Sequence, residues 1–413
     1  MGFASLDKNL ARVAVARFAS RTGGFAAFFV GIWGKATYEF DATPAGLAVL
    51  MGVMGVCALV GSTAGGVLVD RYDPRRVLLV GEILFVPAAL APIFANSMAS
   101  LTVAVAIMDL VAMVVFTSVA AFAPYLTADE NKLKDFNAVM EGANNLAFVV
   151  GPAVGAVLIE VWGSAQIFVF DAITSVIAAV LVLPVRLRRM PERERSTPFR
   201  ESLQGFREIY GSRHLRLYVV VGTVTWVSFG AFAALEPLFY RDVLAQGPAA
   251  IGWVGAIFGA GLMGGAALLA RISARALGAR LVVLAGIGSG FGAILYTGTD
   301  RMLVVVAGAI GWGLVLGLLF PALRTLVQMH TADGMYGRVT GAVQVHNQTG
   351  ELLPLTFVPA LAAAFGVQQV LVGSGIVALC FSALLLGAAR SLDRSAESPR
   401  EEAPTRREEV TVG

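Results

Sequence analysis

Charge is what this sequence has least of. Asp, Glu, Lys and Arg make up only 14% of its 413 residues against 57% hydrophobic, and the mean hydropathy of +0.75 is far too apolar for a soluble domain of this size. Histidine (3), cysteine (2) and lysine (4) are scarcer still. So few histidines and cysteines, so scattered, cannot assemble a metal-ligand cluster. Cys57 and Cys380 each fall inside an apolar run, which excludes a disulfide framework and reads as two small core side chains. No glycine-rich phosphate loop followed by lysine and no nucleophile-base arrangement occurs, so neither an enzyme nor a cofactor or metal is expected. A formal charge of +3 and a pI near 9.0 do not point to nucleic acid, because the basic residues sit in short loops between apolar runs. A cleavable signal segment is also absent from the expectation: the first run, Ala11 to Thr37, is long and contains Arg17 and Arg21, so it is expected to be retained.

What the chain has in quantity is long apolar runs. Pro44 to Val69 carries no charge for 26 residues, which at ~1.5 Å per residue reaches roughly 39 Å, enough to cross a bilayer core. The pattern predicts an all-α polytopic membrane protein with twelve spans at 13–37, 44–69, 77–95, 99–125, 136–160, 164–185, 216–240, 248–273, 280–298, 302–327, 338–365 and 367–389. An even number puts both termini on one side. Lys35, Arg241 and Arg301 are the basic residues of the opposite face, and the other 28 of 31 fall on the terminal side, which predicts cytoplasmic termini. The arginine-over-lysine bias, 27 to 4, fits a GC-rich bacterial genome and hence the bacterial cytoplasmic (inner) membrane, with the lipid bilayer as solvent.

The charged stretch Arg186 to Arg216 breaks the rhythm of short loops and divides the chain into a bundle 1–185, a linker 186–215 and a bundle 216–390. Leu203, Phe206 and Ile209 have the spacing of a short amphipathic helix at the cytoplasmic surface. The tail 391–413 has almost no large apolar side chains and is expected to be disordered. The halves repeat: Thr127-Ala128-Asp129 recurs as Thr331-Ala332-Asp333, Asn145 and Pro152 as Asn347 and Pro354, and Gly61-x-x-x-Gly65 as Gly261-x-x-x-Gly265. The same order of loops on the same side implies two parallel six-helix bundles with a site between them.

The stretch GSTAGGVLVDRYDPRR, 61–76, ends one span and starts the next. Its Gly66, Asp70, Arg71, Arg75 and Arg76 resemble the signature loop between helices 2 and 3 of the major facilitator superfamily, with Asp73-Pro74 where that family usually has Gly and a basic residue. Asp70 is expected to act as a charge latch between the halves. Ala147, Gly151, Pro152 and Gly155 resemble the antiporter motif on helix 5 of the family's drug exporters, with alanines at 138 and 147 where the full motif has glycines. The small residues are expected to pack at the junction between halves, with Pro152 allowing a bend.

Ionisable groups inside spans must face protein or water. Asp109 and Glu351 lie near mid-membrane and Asp171 in the outer half, which makes them proton-coupling candidates, Asp109 first. Glu82 and Glu141 read equally as structural partners of Arg17, Arg21 or loop arginines and as coupling groups, while Glu236 and Arg324 read as gate or interface charges. Cavity candidates are Phe25, Phe29 and Trp33 on span 1, Asn144 and Asn145 on span 5, Trp226 and Phe229 on span 7, and Gln344, His346 and Asn347 on span 11. The sequence is similar to bacterial drug-efflux members of the superfamily, including the group exporting macrolides, tetracyclines and siderophores. That resemblance implies proton-coupled export of an amphipathic small molecule by alternating access, with a proton gradient and no cofactor. A monomer is expected. The alternatives are a siderophore or lysophospholipid transporter and a membrane sensor that does not transport.

Overall fold

The computed structural model describes residues 8–126, 129–187, 198–273, 276–332 and 334–397, and these residues form helices with no strand among them. In chain order the helices are α1 (Lys8–Ala26), α2 (Pro44–Arg71), α3 (Pro74–Leu90), α4 (Met98–Ala121), α5 (Ala123–Leu126), α6 (Glu130–Trp162), α7 (Ser164–Val182) and α8 (Pro198–Gly211). They continue with α9 (Arg213–Leu238), α10 (Pro248–Leu269), α11 (Ala279–Thr297), α12 (Met302–Met329), α13 (Tyr336–Leu352), α14 (Val358–Phe365), α15 (Val367–Leu384) and α16 (Leu386–Glu397). Local chemistry sets several starts. Thr43 accepts the Gly46 amide ahead of Pro44, Asp73 accepts the Arg75 and Arg76 amides ahead of α3, and Ser97 and Ser100 cap α4 reciprocally.

Among the described residues ten helical segments are long and apolar enough to cross a membrane. The two expected spans not among them, the first and the eleventh, are helical but polar or broken. Residues 8–39 run as one helix whose last two turns widen into π-helix, and α1 carries Arg12, Arg17 and Arg21. The eleventh is α13 and α14, interrupted by a 3₁₀ turn at Leu353–Thr356 where Pro354 removes an amide donor.

Small residues close the packing. A Cβ on Gly61 would sit 2.6 Å from the Leu110 carbonyl oxygen, and one on Gly261 would sit 2.5 Å from that of Ile310, so α2 meets α4 just as α10 meets α12, 200 residues later. Other features recur at a similar offset. The π-turn Lys35–Glu39 is matched by Phe239–Val243, the positive-φ residue Asp41 by Ala245, and the turn glycine Gly163 (φ 87°) by Gly366 (φ 93°). Only glycine takes those last two conformations without strain.

α1–α4, α6 and α7 pack among themselves, as do α9–α13 and α15. The two groups meet chiefly where α6 crosses α10 and where α2 approaches α9 and α14. One end of the molecule is closed across this junction: Tyr38 donates to the Gln246 carbonyl (2.7 Å), and Arg241 donates to the Thr37 carbonyl (2.9 Å) and Asp41 (2.6 Å). At the other end, the last turns of α2 flank an open apolar groove of about 650 Å³ lined by Leu59, Val60, Thr63, Ala64, Val67 and Leu68.

Three expectations change. The tail is helical through Glu397, because Asp393 accepts the Ala279 and Arg280 amides and so satisfies the N-terminus of α11; positions 398–413 lie outside the described residues. The amphipathic helix α8 does not simply lie at the surface: Ile209 is fully buried and Gly205 lets α8 sit directly on the Arg338 carbonyl of α13. Cys380 is exposed rather than a core side chain. Thr127, Ala128 and Asp333 of the sequence repeat, and 188–197 of the linker, lie outside the described residues.

Candidate functional site

A charged cluster occupies the middle of the first group of helices. α1 approaches α7 through Gly23, whose Cβ would lie 2.6 Å from Asp171 Oδ1, so no larger residue fits between the two helices. That approach brings Arg21 within electrostatic reach of Asp171 on α7 and Asp109 on α4. Arg21 Nε donates to Asn144 Oδ1 on α6 (3.1 Å), and its guanidinium lies 4.2 Å from the centre of the Phe25 ring. One turn earlier, Arg17 stands over Phe116 at 4.6 Å, within reach of Glu82 and Glu141. Glu82 is itself held by the Ser175 hydroxyl. Asp171 is buried, and both of its carboxylate oxygens, with Oδ2 of Asp109, have no hydrogen-bond partner among the described residues. A carboxylate that is buried, near one cation and without donors can take up a proton or bind a cationic group.

The structure thus places Asp109 and Asp171 within electrostatic reach of Arg21 and leaves Glu351 apart. Glu351 ends α13, where Gly230 of α9 packs on its carbonyl, and it has no ion pair or hydrogen bond among the described residues. The sequence treated Arg21 only as an optional partner of the acids and overlooked Gly23. The signal was present, since Arg17, Arg21 and Gly23 on one spanning helix require partners, but those partners lie some 65 to 150 residues away.

From this cluster a line of rings crosses the junction. Phe25 and Phe29 contact Phe148 of α6 at 4.9 and 5.4 Å between centroids, with Trp33 5.3 Å beyond Phe29. Phe148 leads to Phe258 of α10 at 6.4 Å, and Phe258 to Phe229 of α9 (6.5 Å) and Trp312 of α12 (5.5 Å). Trp226 follows at 5.6 Å from Phe229 and stacks on Phe320. Phe148, Phe258, Trp312 and Phe320 were not singled out from sequence, because each lies in a run of apolar residues where core and cavity read alike.

The remaining candidates are placed as follows. His346 Nε2 is hydrogen-bonded to the Tyr210 hydroxyl (2.9 Å) and its ring lies 5.2 Å from Phe206, so it joins α13 to α8 rather than opening onto the rings. Asn347 turns towards Gly222 of α9, while Gln344 and Asn145 are exposed. Glu236 does not stand at a gate between the helix groups: it bonds Tyr296 within its own group. Arg324 is exposed. Gly151 and Gly155 pack on Phe25 and Thr22 of α1 and on Val30 of the π-helical stretch that continues it, not at the junction, and α6 is one unbroken helix through Pro152. The residue facing α10 is Pro152, whose carbonyl oxygen would be 2.5 Å from a Cβ on Gly252. Asp70 and Arg71 are exposed at the end away from Tyr38 and Arg241 and have no side-chain partner among the described residues, while Arg75 donates to the Leu183 carbonyl. Asp73, not Asp70, supplies the cap at this loop.

A family model for the Major Facilitator Superfamily matches residues 13–354 and again 218–411. The chain is 27% identical over 220 residues to macrolide efflux protein A of Enterococcus faecalis, a match covering 49% of this chain and 65% of that protein, and so spans less than two thirds of that relative. It is 26% identical over 353 residues to an enterobactin exporter of Escherichia coli, covering 84% of this chain and 83% of the exporter. Its fold is similar to that of a POT family transporter in complex with 5-aminolevulinic acid, with a TM-score of 0.74 at 11% identity over 95% of this chain and 100% of the other. With a family model spanning the helices of both groups, the chain belongs to the Major Facilitator Superfamily and is a multi-pass membrane protein.

Proposed function

We propose that this protein is a proton-coupled secondary transporter that exports an amphipathic small molecule from a bacterial cell by alternating access. The observation that carries this reading is the pairing of an aromatic path across the junction with the Arg21, Asp109 and Asp171 cluster at its edge. Rings on both sides suit a bulky apolar body, and carboxylate oxygens without donors suit a proton or a cationic substituent. Asp109 is the leading proton carrier, because it is only half-buried while Asp171 is sealed. The recurrence of turns and contacts at offsets of 200 to 204 supports twelve spans in two parallel six-helix halves, with α1 and the α13–α14 pair as the polar first and eleventh spans. With both termini cytoplasmic in the inner membrane, the conformation described is open to the cytoplasm, and Asp70 finds its partners when that end closes. One chain contains the whole site, so a monomer suffices.

The test is transport in everted membrane vesicles, using a dye panel and a macrolide bearing a dimethylamino sugar, with and without a proton gradient. Accumulation driven by the gradient is expected. Accumulation of every compound at the same rate as in vesicles lacking the protein refutes the reading. A siderophore is the second candidate cargo, favoured by the length of the match to the enterobactin exporter, and belongs in the same panel.

A further inference from the structure

Among the described residues the second group of helices holds two half-buried acids within its spans, Glu351 on α13 and Glu236 on α9, and Glu236 is handled differently from the acids of the first group. Glu236 lies on α9 one residue before Pro237, where the helix passes into its π-turn. Tyr296 of α11 donates its hydroxyl to Glu236 Oε1 (2.5 Å), and the Tyr240 and Tyr296 hydroxyls are 2.7 Å apart. Tyr296 has one proton, already given to the carboxylate, so Tyr240 must be the donor to Tyr296. The two hydroxyls form a chain directed at the acid. Both rings are fixed: Tyr240 and Tyr296 are 0% and 3% exposed, Phe232 stacks on Tyr296 at 5.9 Å, and Trp312 lies 5.8 Å from it.

No cation answers this acid. α10, α11 beyond Arg280, α12 before Arg324, and α15 carry no Asp, Glu, Lys, Arg or His. Arg241 and Asp242, on the π-turn, pair with each other and Arg241 also pairs with Asp41. The titratable groups facing Glu236 are Tyr296 and Tyr240, with Tyr38 acting on Tyr240 from across the junction. An ionised carboxyl here has only hydroxyl dipoles for compensation, which is costly in an apolar bundle, whereas the protonated form accepts the Tyr296 bond at its carbonyl oxygen and loses little. Yet Glu236 is half-buried, not sealed, so a proton can reach it.

We propose that Glu236 is a second proton-binding carboxyl of this protein, in the C-terminal group of helices, positioned by the Tyr240–Tyr296 hydroxyl chain. The carboxylate takes a proton from water onto an oxygen and returns it to water; no other bond forms or breaks. The proposal rests on the proton-coupled reading above, and its test is read separately from transport. Full-length protein in lipid nanodiscs is titrated from alkaline to acidic buffer and followed by infrared difference spectroscopy of the protonated-carboxyl stretch. Glu236→Gln should remove one titrating band, and Asp109→Asn should leave that same band in place, so a failed assignment of Asp109 does not touch this one. A Glu236→Gln difference spectrum superimposable on wild type overturns the proposal. If Glu236→Gln does not yield monodisperse protein, Tyr296→Phe is read instead: it should shift the frequency of one band and leave the rest, and an unchanged spectrum overturns the proposal equally.

Discussion

The repeat makes the two helix groups each other's control. Arg21 corresponds to Thr225 at an offset of 204, Asp171 to Ser374 at 203, and Asp109 to Ala309 at 200. Where the first group brings charges together, the second has a neutral contact, Ser228 to Ser374 at 3.3 Å. Conversely, Glu236 corresponds to Ile32 at an offset of 204, a fully buried apolar side chain. The same framework therefore accepts an acid balanced by arginine on one side and an acid balanced by hydroxyls on the other. Fold and charge placement are separable in this protein.

The largest effect should come from breaking the charged side. Asp171→Leu takes from the half-buried Arg21 one of the two acids within its electrostatic reach, and the lost charge compensation costs up to about 3–5 kcal/mol, whereas Ser374→Ala removes a neutral hydrogen bond worth about 0.5–1.5 kcal/mol. Thermal unfolding in detergent should show the first far below the second, with Arg21→Met added to Asp171→Leu recovering much of the loss. Equal melting of the two single variants contradicts the assigned asymmetry. Next, Asp109→Asn should abolish gradient-driven accumulation while substrate binding stays measurable. Accumulation that persists, with proton release on binding, moves the role to Asp171 or Glu351.

On the hydroxyl side, Tyr296→Phe deletes both hydrogen bonds of that hydroxyl, to Glu236 and from Tyr240, and the stability lost should be about 1–3 kcal/mol, less than for Asp171→Leu. The smallest changes in stability belong to the two ends. Asp41 is 93% exposed in its side chain, so Arg241→Ala should cost only about 0–1 kcal/mol while populating a conformation open at that end, readable as faster labelling of a cysteine introduced at Thr37. Asp70→Asn, exposed and unpaired in this conformation, should leave melting unchanged yet slow transport at equal membrane abundance. Wild-type transport rates removes the latch from the mechanism.

Much of the architecture was legible because a bilayer permits few choices. Uncharged runs such as Pro44 to Val69 must be helices, and Gly61-x-x-x-Gly65 with its repeat marked close helix contacts that the structure shows at Leu110 and Ile310. The exceptions were the polar segments: α1, and α13 with its break at Pro354, are not apolar enough to be read by hydropathy alone. The helix-5 glycines were read as small but not as facing α1, since a one-turn spacing defines a stripe without naming the helix that meets it.

By itself the sequence determined a polytopic helical membrane protein, the short turns, and the presence of a few acids and arginines that could not be left unpartnered in hydrocarbon. Only the tertiary structure decided which of them meet. Arg21 comes within electrostatic reach of Asp109 and Asp171 because Gly23 lets α1 lie against α7, and Glu236 bonds Tyr296 because α9 crosses α11. Hydropathy is a property of a segment and can be read along the chain, whereas the compensation of a buried charge depends on side chains tens to hundreds of residues away, brought within a few ångströms by helix packing.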